Sequence, residues 1–402
     1  MTVHSRRPRS ADDTPIRILV AHPGAELFGS DRMALASIAG FLEAGNDVVV
    51  TTPQDGPLPG LVRRLGATFE RCQTPVLRKS LLHPVGLLRL AGQSLSGLIA
   101  GTRLVSRFRP DVLYVSTLTI PLWAVIGKVT RTPVVCHVHE AESTAPRWMR
   151  RALAAGALLA ETVIANSEFS ADVLRTTFPR LTRRIRVVYN GIDGPDHPGT
   201  ARTGLTGGLR VAYVGRLSAR KGVDVAIAAV ALVRAHGSPA QLDIIGSVFE
   251  GNEAYEVSLH TLAEAEGIAD VVQFVGFIPD VWDAYAGCDV AVVPSRFDEP
   301  FGNTAVEALL AARPVIVSDT SGLREAADGY ESAQRSAPGD PIDLARALER
   351  AIAEWPGLRR AAQGDCELAR IRHSPARYQA LVAAIVGLSS SARTRRGEPV
   401  RI

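Results

Sequence analysis

Short apolar runs alternate with helical stretches along nearly the whole chain, and that alternation leaves few folds open. In the first half the runs are Ile16 to Ala21, Asp47 to Thr52, Ala67 to Cys72, Val112 to Ser116, Pro133 to Val138, Thr162 to Ala165 and Ile185 to Tyr189. Each is four to eight residues long or close to it and bounded by turn residues, as strands of a parallel sheet covered on both faces should be. A second series begins at Leu209 and continues through runs at 241–245, 271–275, 290–294 and 315–317, with helices near 221–236, 252–267, 279–286, 303–313 and 340–354. Two β/α series of similar length predict an α/β protein with two doubly wound, Rossmann-like domains facing a central cleft.

The chain divides accordingly. Residues 1–15 are polar, carry no apolar core of a signal peptide and are expected to be disordered. The first domain spans 16–190, a Gly-, Pro-, Asp- and Thr-rich linker spans 191–208, and the second domain spans 209–372. A helix over 373–388 and a basic tail over 389–402 complete it. The four cysteines are scattered, which argues for buried free thiols in a reducing cytoplasm, and no run is long and apolar enough to span a membrane. A net charge of +4 with 5% aromatic residues is too weak a basic balance for a nucleic-acid binder.

The chemistry concentrates in 289–319, DVAVVPSRFDEPFGNTAVEALLAARPVIVSD. A strand runs into a polar loop, and Phe301-Gly302-Asn303 opens a helix. Glu299 lies just before that helix and Glu307 within its early turns. The unpaired N–H groups at the helix start favour an anion. Carboxylates beside an anion site need a reason, and sugar hydroxyls donating to them would supply one. Taken alone, the two glutamates also fit a solvated loop and an ordinary helix face. A second constellation, Gly215-Arg216-Leu217-Ser218-Ala219-Arg220-Lys221-Gly222, follows the first strand of the second domain. Cations are unfavourable at a helix start unless an anion joins them, although a surface Arg/Lys pair is the plainer alternative.

These residues resemble the retaining GT-B glycosyltransferases of group 1, also called family 4. The Glu-x7-Glu element in EPFGNTAVE and the Gly-Arg-x4-Lys-Gly element are close to that family's usual forms. The resemblance implies a GT-B fold, with an acceptor-side first domain, a nucleotide-sugar-binding second domain, and a C-terminal helix that packs back on the first. It implies transfer of a hexosyl group from a nucleotide-diphosphate sugar to a glycan, glycolipid or lipid-linked acceptor, in polysaccharide or cell-envelope synthesis, without a metal or other cofactor. Arg216 and Lys221 carry over as diphosphate binders with Gly215, Glu299 as the group on the donor-sugar hydroxyls, and Glu307 on the ribose. Backbone amides of Phe301, Gly302 and Asn303 would meet the donor's sugar and phosphate. Gly246, Val275 and Phe277, at strand ends, would frame the base.

In the first domain His137 and His139 end a strand on one face. The family places a histidine there opposite the donor sugar, with His139 the better match and His137 second. A His-x-His pair could also bind a metal, but the sequence offers no third ligand. Gly29 lies in the first loop, where the family more often has a Gly-Gly pair, and Asp31 and Arg32 follow it, within reach of an acceptor. An ordinary capped loop is the alternative. The acid-free basic stretch 71–110 and Arg147-Trp148-Met149-Arg150-Arg151 suit either an anionic membrane surface on the cytoplasmic side or a solvated helix face. A sugar-nucleotide epimerase or phosphorylase on the same fold, and a non-catalytic nucleotide-sugar-binding subunit, stand as alternative functions.

Overall fold

The computed structural model describes residues 15–26, 29–77 and 84–397. The expected disorder of 1–15 therefore falls almost wholly outside the described residues, as do Phe28, Arg78 and Lys79.

Two parallel sheets organise the chain. The first contains β1 (Arg17–Ala21), β2 (Asp47–Thr51), β3 (Thr68–Phe69), β4 (Val112–Val115), β5 (Val134–Val138), β6 (Thr162–Ala165) and β7 (Ile185–Val187), in the order β3-β2-β1-β4-β5-β6-β7. The second contains β8 (Leu209–Val214), β9 (Ala240–Ile245), β10 (Val272–Gly276), β11 (Val290–Val293), β12 (Val315–Ser318) and β13 (Ala333–Ser336), in the order β10-β9-β8-β11-β12-β13. β4, β5, β11 and β12 are buried along their whole length. That is why they read as continuous apolar runs rather than as alternating ones. In each sheet the strand order reverses direction beside the first strand, between β1 and β4 and between β8 and β11. The crevice beyond the carboxyl ends of such a pair is where open α/β sheets bind ligands.

Two elements escape the sequence reading. β13, Ala-Gln-Arg-Ser, is an edge strand paired only with β12, so it lacks the apolar run that marks its neighbours. The helix Ser321–Ala327 is only seven residues long, with no side-chain cap to announce it.

After the second sheet the chain returns. Helix Trp355–Arg372 is followed by helix Pro375–Gly397, which packs along Gly29–Glu43 of the first domain. Tyr378, Val382 and Val386 lie in the first domain's core with Ile38 and Phe41. The Tyr378 hydroxyl hydrogen-bonds Ser37 Oγ at 2.7 Å, and Ser37 Oγ lies 3.0 Å from the Tyr114 hydroxyl. The helix does not stop at 388: its backbone is helical to Gly397, so most of the expected basic tail is a continuation of this helix.

Candidate active site

Loops at the carboxyl ends of β1, β5, β8, β9, β10 and β11 face one cleft of about 570 Å³. It is lined by Gly29, His139, Gly215, Arg216, Lys221, Gly246, Phe277, Glu299, Phe301, Gly302, Asn303 and Glu307, among others. Two predicted members lie elsewhere. Val275 projects from β10 to solvent and is not part of the lining. His137 is fully buried beneath His139, the two rings 4.1 Å apart, and its Nδ1 hydrogen-bonds the Tyr114 hydroxyl. The strand period does put both histidines on one face, but the inner one is closed off by Tyr114 and Tyr378. It is not part of the cleft lining.

The second domain supplies most of the charge. Lys221 Nζ lies 2.7 Å from Glu299 Oε1, which also accepts from Ser295 Oγ at 2.9 Å. Glu299 is 7% exposed. Its backbone is pinned too, by its N–H to Ser321 Oγ at 2.8 Å and by its carbonyl accepting from the Gly322 N–H at 3.0 Å. The Arg216 guanidinium lies over the Phe249 ring, 4.0 Å from its centroid. Glu307 Oε2 accepts from the Tyr285 hydroxyl at 3.3 Å. Burial raises the Glu307 pKa above the ordinary carboxylate value, against the pull of Arg32 and Lys221. Arg32 comes from the first domain, and its Nη2 donates to the Pro279 carbonyl at 3.2 Å.

Gly302 is needed for a reason internal to the protein. Its φ is +114°, and a Cβ there would meet Leu323 Cδ2 at 2.6 Å, so backbone conformation and packing both exclude a side chain before any ligand is considered. Gly246 is similar: φ is +145° and a Cβ would come within 1.8 Å of the Gly215 carbonyl. Its place in the site is to let the β8 and β9 loops touch.

His139 faces the cleft from the first domain. Burial, and secondarily His22, pushes its pKa down to about 3, so it is neutral at physiological pH. Its Nε2 is buried without a hydrogen-bond partner. Asp31 does not reach toward an acceptor. It is buried, and its Oδ1 lies 2.6 Å from His22 Nε2, whose Nδ1 lies 2.5 Å from Ser116 Oγ.

Sequence reasoning missed the contacts that join the domains. Ser143 donates from its N–H and its hydroxyl to Asp298 Oδ2, at 2.8 and 2.6 Å. Asn190 Nδ2 donates to Asn303 Oδ1 at 2.7 Å. Arg220 pairs with Glu142 at 3.3 Å, which makes it a bridge between domains as well as a cleft residue. Glu325 accepts from the N–H groups of Glu168 and Phe169, at 2.8 and 2.5 Å, at the start of helix Glu168–Thr177. No local signal marks such pairs, because each partner belongs to a different sheet. Among the described residues no three His, Cys, Asp or Glu side chains gather as a metal site.

Two doubly wound domains closing on a cleft of this kind define the GT-B architecture. It is shared with a crystal structure of Anabaena Alr3699/HepE in complex with UDP-glucose, at a TM-score of 0.77 and 21% identity, covering 93% of this chain and 100% of that one. A sucrose-phosphate synthase from Thermosynechococcus elongatus aligns at a TM-score of 0.73 and 19% identity, covering 95% of this chain and 100% of that one. The family described as Glycosyl transferases group 1 matches residues 204–364, and Glycosyltransferase Family 4 matches residues 29–194. The chain belongs to the group 1, family 4 glycosyltransferases. It is similar to a glycogen synthase of Mycobacterium tuberculosis (30% identical over 277 residues, 66% of this chain and 64% of that protein). It is also similar to a D-inositol 3-phosphate glycosyltransferase of Actinosynnema mirum (32% over 243 residues, 56% and 57%). The chain thus spans less than two thirds of the length of these curated relatives.

Proposed function

We propose that the protein is a retaining hexosyltransferase that moves a hexosyl group from a nucleotide-diphosphate sugar to a glycan, glycolipid or lipid-linked acceptor in polysaccharide or cell-envelope synthesis. The observation that carries this is the convergence of Arg216 and Lys221 with Glu299 and Glu307 in one cleft at the switch point of the second sheet. Two cations suit a diphosphate whose charge grows as the glycosidic bond breaks. They supply the counter-charge with this chain's own side chains, which is the basis for reading the transfer as metal-independent. Glu299, oriented by Lys221 and Ser295, accepts from donor-sugar hydroxyls. Glu307 accepts from the ribose, and Phe277, an exposed ring at the cleft wall, backs the base. His139, neutral, hydrogen-bonds a sugar hydroxyl through Nε2.

In this reading the bond between the anomeric carbon and the phosphate oxygen breaks, and its electron pair goes to the phosphate. The acceptor oxygen attacks from the same face and its proton passes to that phosphate oxygen. No carboxylate need form a covalent intermediate.

The acceptor would approach from the first domain. Helix Pro84–Phe108 packs on Leu122–Thr130, which packs through the turn Ala155–Leu159 against Arg147–Ala154. Leu95, Ile99, Val129 and Trp148 are exposed along this series, near exposed Arg103, Arg147 and Arg151. Such a surface supports peripheral attachment to the inner face of an anionic membrane. Among the described residues no helix is long and apolar enough to cross one.

Thermal shift across a panel of sugar nucleotides, followed by product analysis with and without acceptor, tests the reading. At least one donor should raise Tm, and the product should keep the donor's anomeric configuration. A panel that neither shifts Tm nor is consumed would remove the donor-site assignment. Conversion of donor without acceptor would replace transfer by epimerisation.

A further inference from the structure

A second cleft, of about 730 Å³, opens at the hinge, and Phe301 lines both it and the donor cleft. Its walls come from three parts of the chain: Val187–Tyr189 at the end of β7, the junction of the last two helices around His373, and Arg324 to Arg335 of the second domain. Four arginines line it, Arg324, Arg335, Arg372 and Arg377, against two carboxylates, Glu325 and Asp328. The carboxylates are largely committed. Glu325 caps helix Glu168–Thr177, and Asp328 pairs with Arg335 at 3.2 Å. Arg324 pairs with Asp319 at 2.8 Å. Arg372 donates to the Asp328 carbonyl at 2.8 Å and lies 4.9 Å over the Tyr330 ring. Among the described residues neither Arg372 nor Arg377 is in an ion pair.

Two further features point to a ligand. His373, 5% exposed and lining the cleft, has a buried Nδ1 with no hydrogen-bond partner. Beside it Tyr189 is stacked on Phe301, with centroids 5.7 Å apart, yet is 42% exposed, so part of its aromatic surface stays open. Leu381 adds an exposed apolar surface. Two guanidinium groups outside any ion pair, Arg377 and the partly engaged Arg372, are suited to a phosphate dianion. The open ring and Leu381 are suited to the flat apolar side of a ring attached to it, and the volume lies in the range of small-molecule sites.

We propose that this hinge cleft binds a small phosphate monoester carrying a ring, either a sugar phosphate or a nucleoside monophosphate, as a site separate from the donor cleft. Because its walls belong to both domains and to the returning helix, an occupant links them in the arrangement seen here.

Isothermal titration of the full chain with glucose 6-phosphate, uridine 5′-monophosphate and inorganic phosphate tests this, in parallel with a UDP titration that reports on the donor cleft. At least one ester should bind more tightly than about 1 mM and more tightly than inorganic phosphate, and which ester does so identifies the source. Arg377→Glu and, separately, Arg372→Gln should each weaken it at least about tenfold, with UDP binding and the circular dichroism spectrum unchanged. No ester binding in this range, equal binding of inorganic phosphate, ester binding indifferent to both variants, or full competition by UDP would each overturn the proposal. A protein that binds an ester in the Arg377-dependent way but ignores every sugar nucleotide would keep this site while losing the donor assignment.

Discussion

Lys221 Nζ and Glu299 Oε1 lie 2.7 Å apart, joining the loop after β8 to the loop after β11 across the switch point of the second sheet. The cation and the carboxylate are therefore one unit. Lys221 both faces the cleft and fixes the carboxylate that would meet the donor sugar. Removing either partner should have unequal consequences. Lys221→Met leaves a buried carboxylate with Ser295 as its remaining side-chain partner and should destabilise the protein by about 1–3 kcal/mol. Glu299→Gln should cost less. The double variant should recover much of the lost stability yet stay at least about a hundredfold down in turnover. Urea unfolding and initial rates on the four proteins check this; additive stability losses would show that the pair is not coupled.

Glu307 should act on the ribose. With whichever nucleoside diphosphate binds, Glu307→Gln should remove the preference for ribose over 2′,3′-dideoxyribose, a preference of about 10–150-fold for a charged hydrogen-bond acceptor. Titration of both nucleotides into wild type and variant measures it. A preference that survives the substitution would place the ribose elsewhere.

Acid should weaken the fold earlier than carboxylate titration alone would require. Burial pushes His137 well below its ordinary value of 6.5, His139 to about 3 and His373 to about 4. A histidine whose folded value is depressed binds fewer protons folded than unfolded. Its stabilising contribution is complete above 6.5 and is lost as pH falls from 6.5 toward 3 or 4. Each such group contributes a slope of up to about 1.4 kcal/mol per pH unit in that window. Burial raises Glu140 and Glu307, which works in the opposite direction and reduces the net loss. Unfolding free energies at pH 7.5 and 5.5 should fall by about 1–4 kcal/mol, and His373→Gln should flatten the profile by about one proton. An identical slope in that variant would contradict the neutral buried state of His373.

The domains should part when Asp298 is removed. Its Oδ2 takes both hydrogen bonds that Ser143 sends across the cleft. Asp298→Ala should increase the radius of gyration in small-angle scattering and weaken donor binding several-fold, while Ser143→Ala, which keeps the backbone N–H, should do about half as much in free energy. Unchanged scattering in Asp298→Ala would show that the remaining contacts suffice.

The sheets and the second-domain loops were legible because their causes are local. Strands buried on both faces leave apolar runs, and Gly215, Lys221, Glu299 and Glu307 stand at fixed spacings next to such runs. What could not be read depends on which strands become neighbours. The His22–Asp31–Ser116 chain exists because β1 and β4 are adjacent, and Asp298 meets Ser143 only because two separate sheets face each other. His137 illustrates the intermediate case: strand period gave its face correctly, but only Tyr114 and Tyr378 reveal that it is closed in.

The returning helix Pro375–Gly397 also sets an order of events during synthesis. Tyr378, Val382 and Val386 belong to the core beneath β1, β2 and β4, yet they leave the ribosome after every strand of the second sheet. The first sheet therefore waits, with one flank unsealed, until its neighbour has been translated. A chaperone or a nascent-chain protease should find that flank open longest while the second domain is being made.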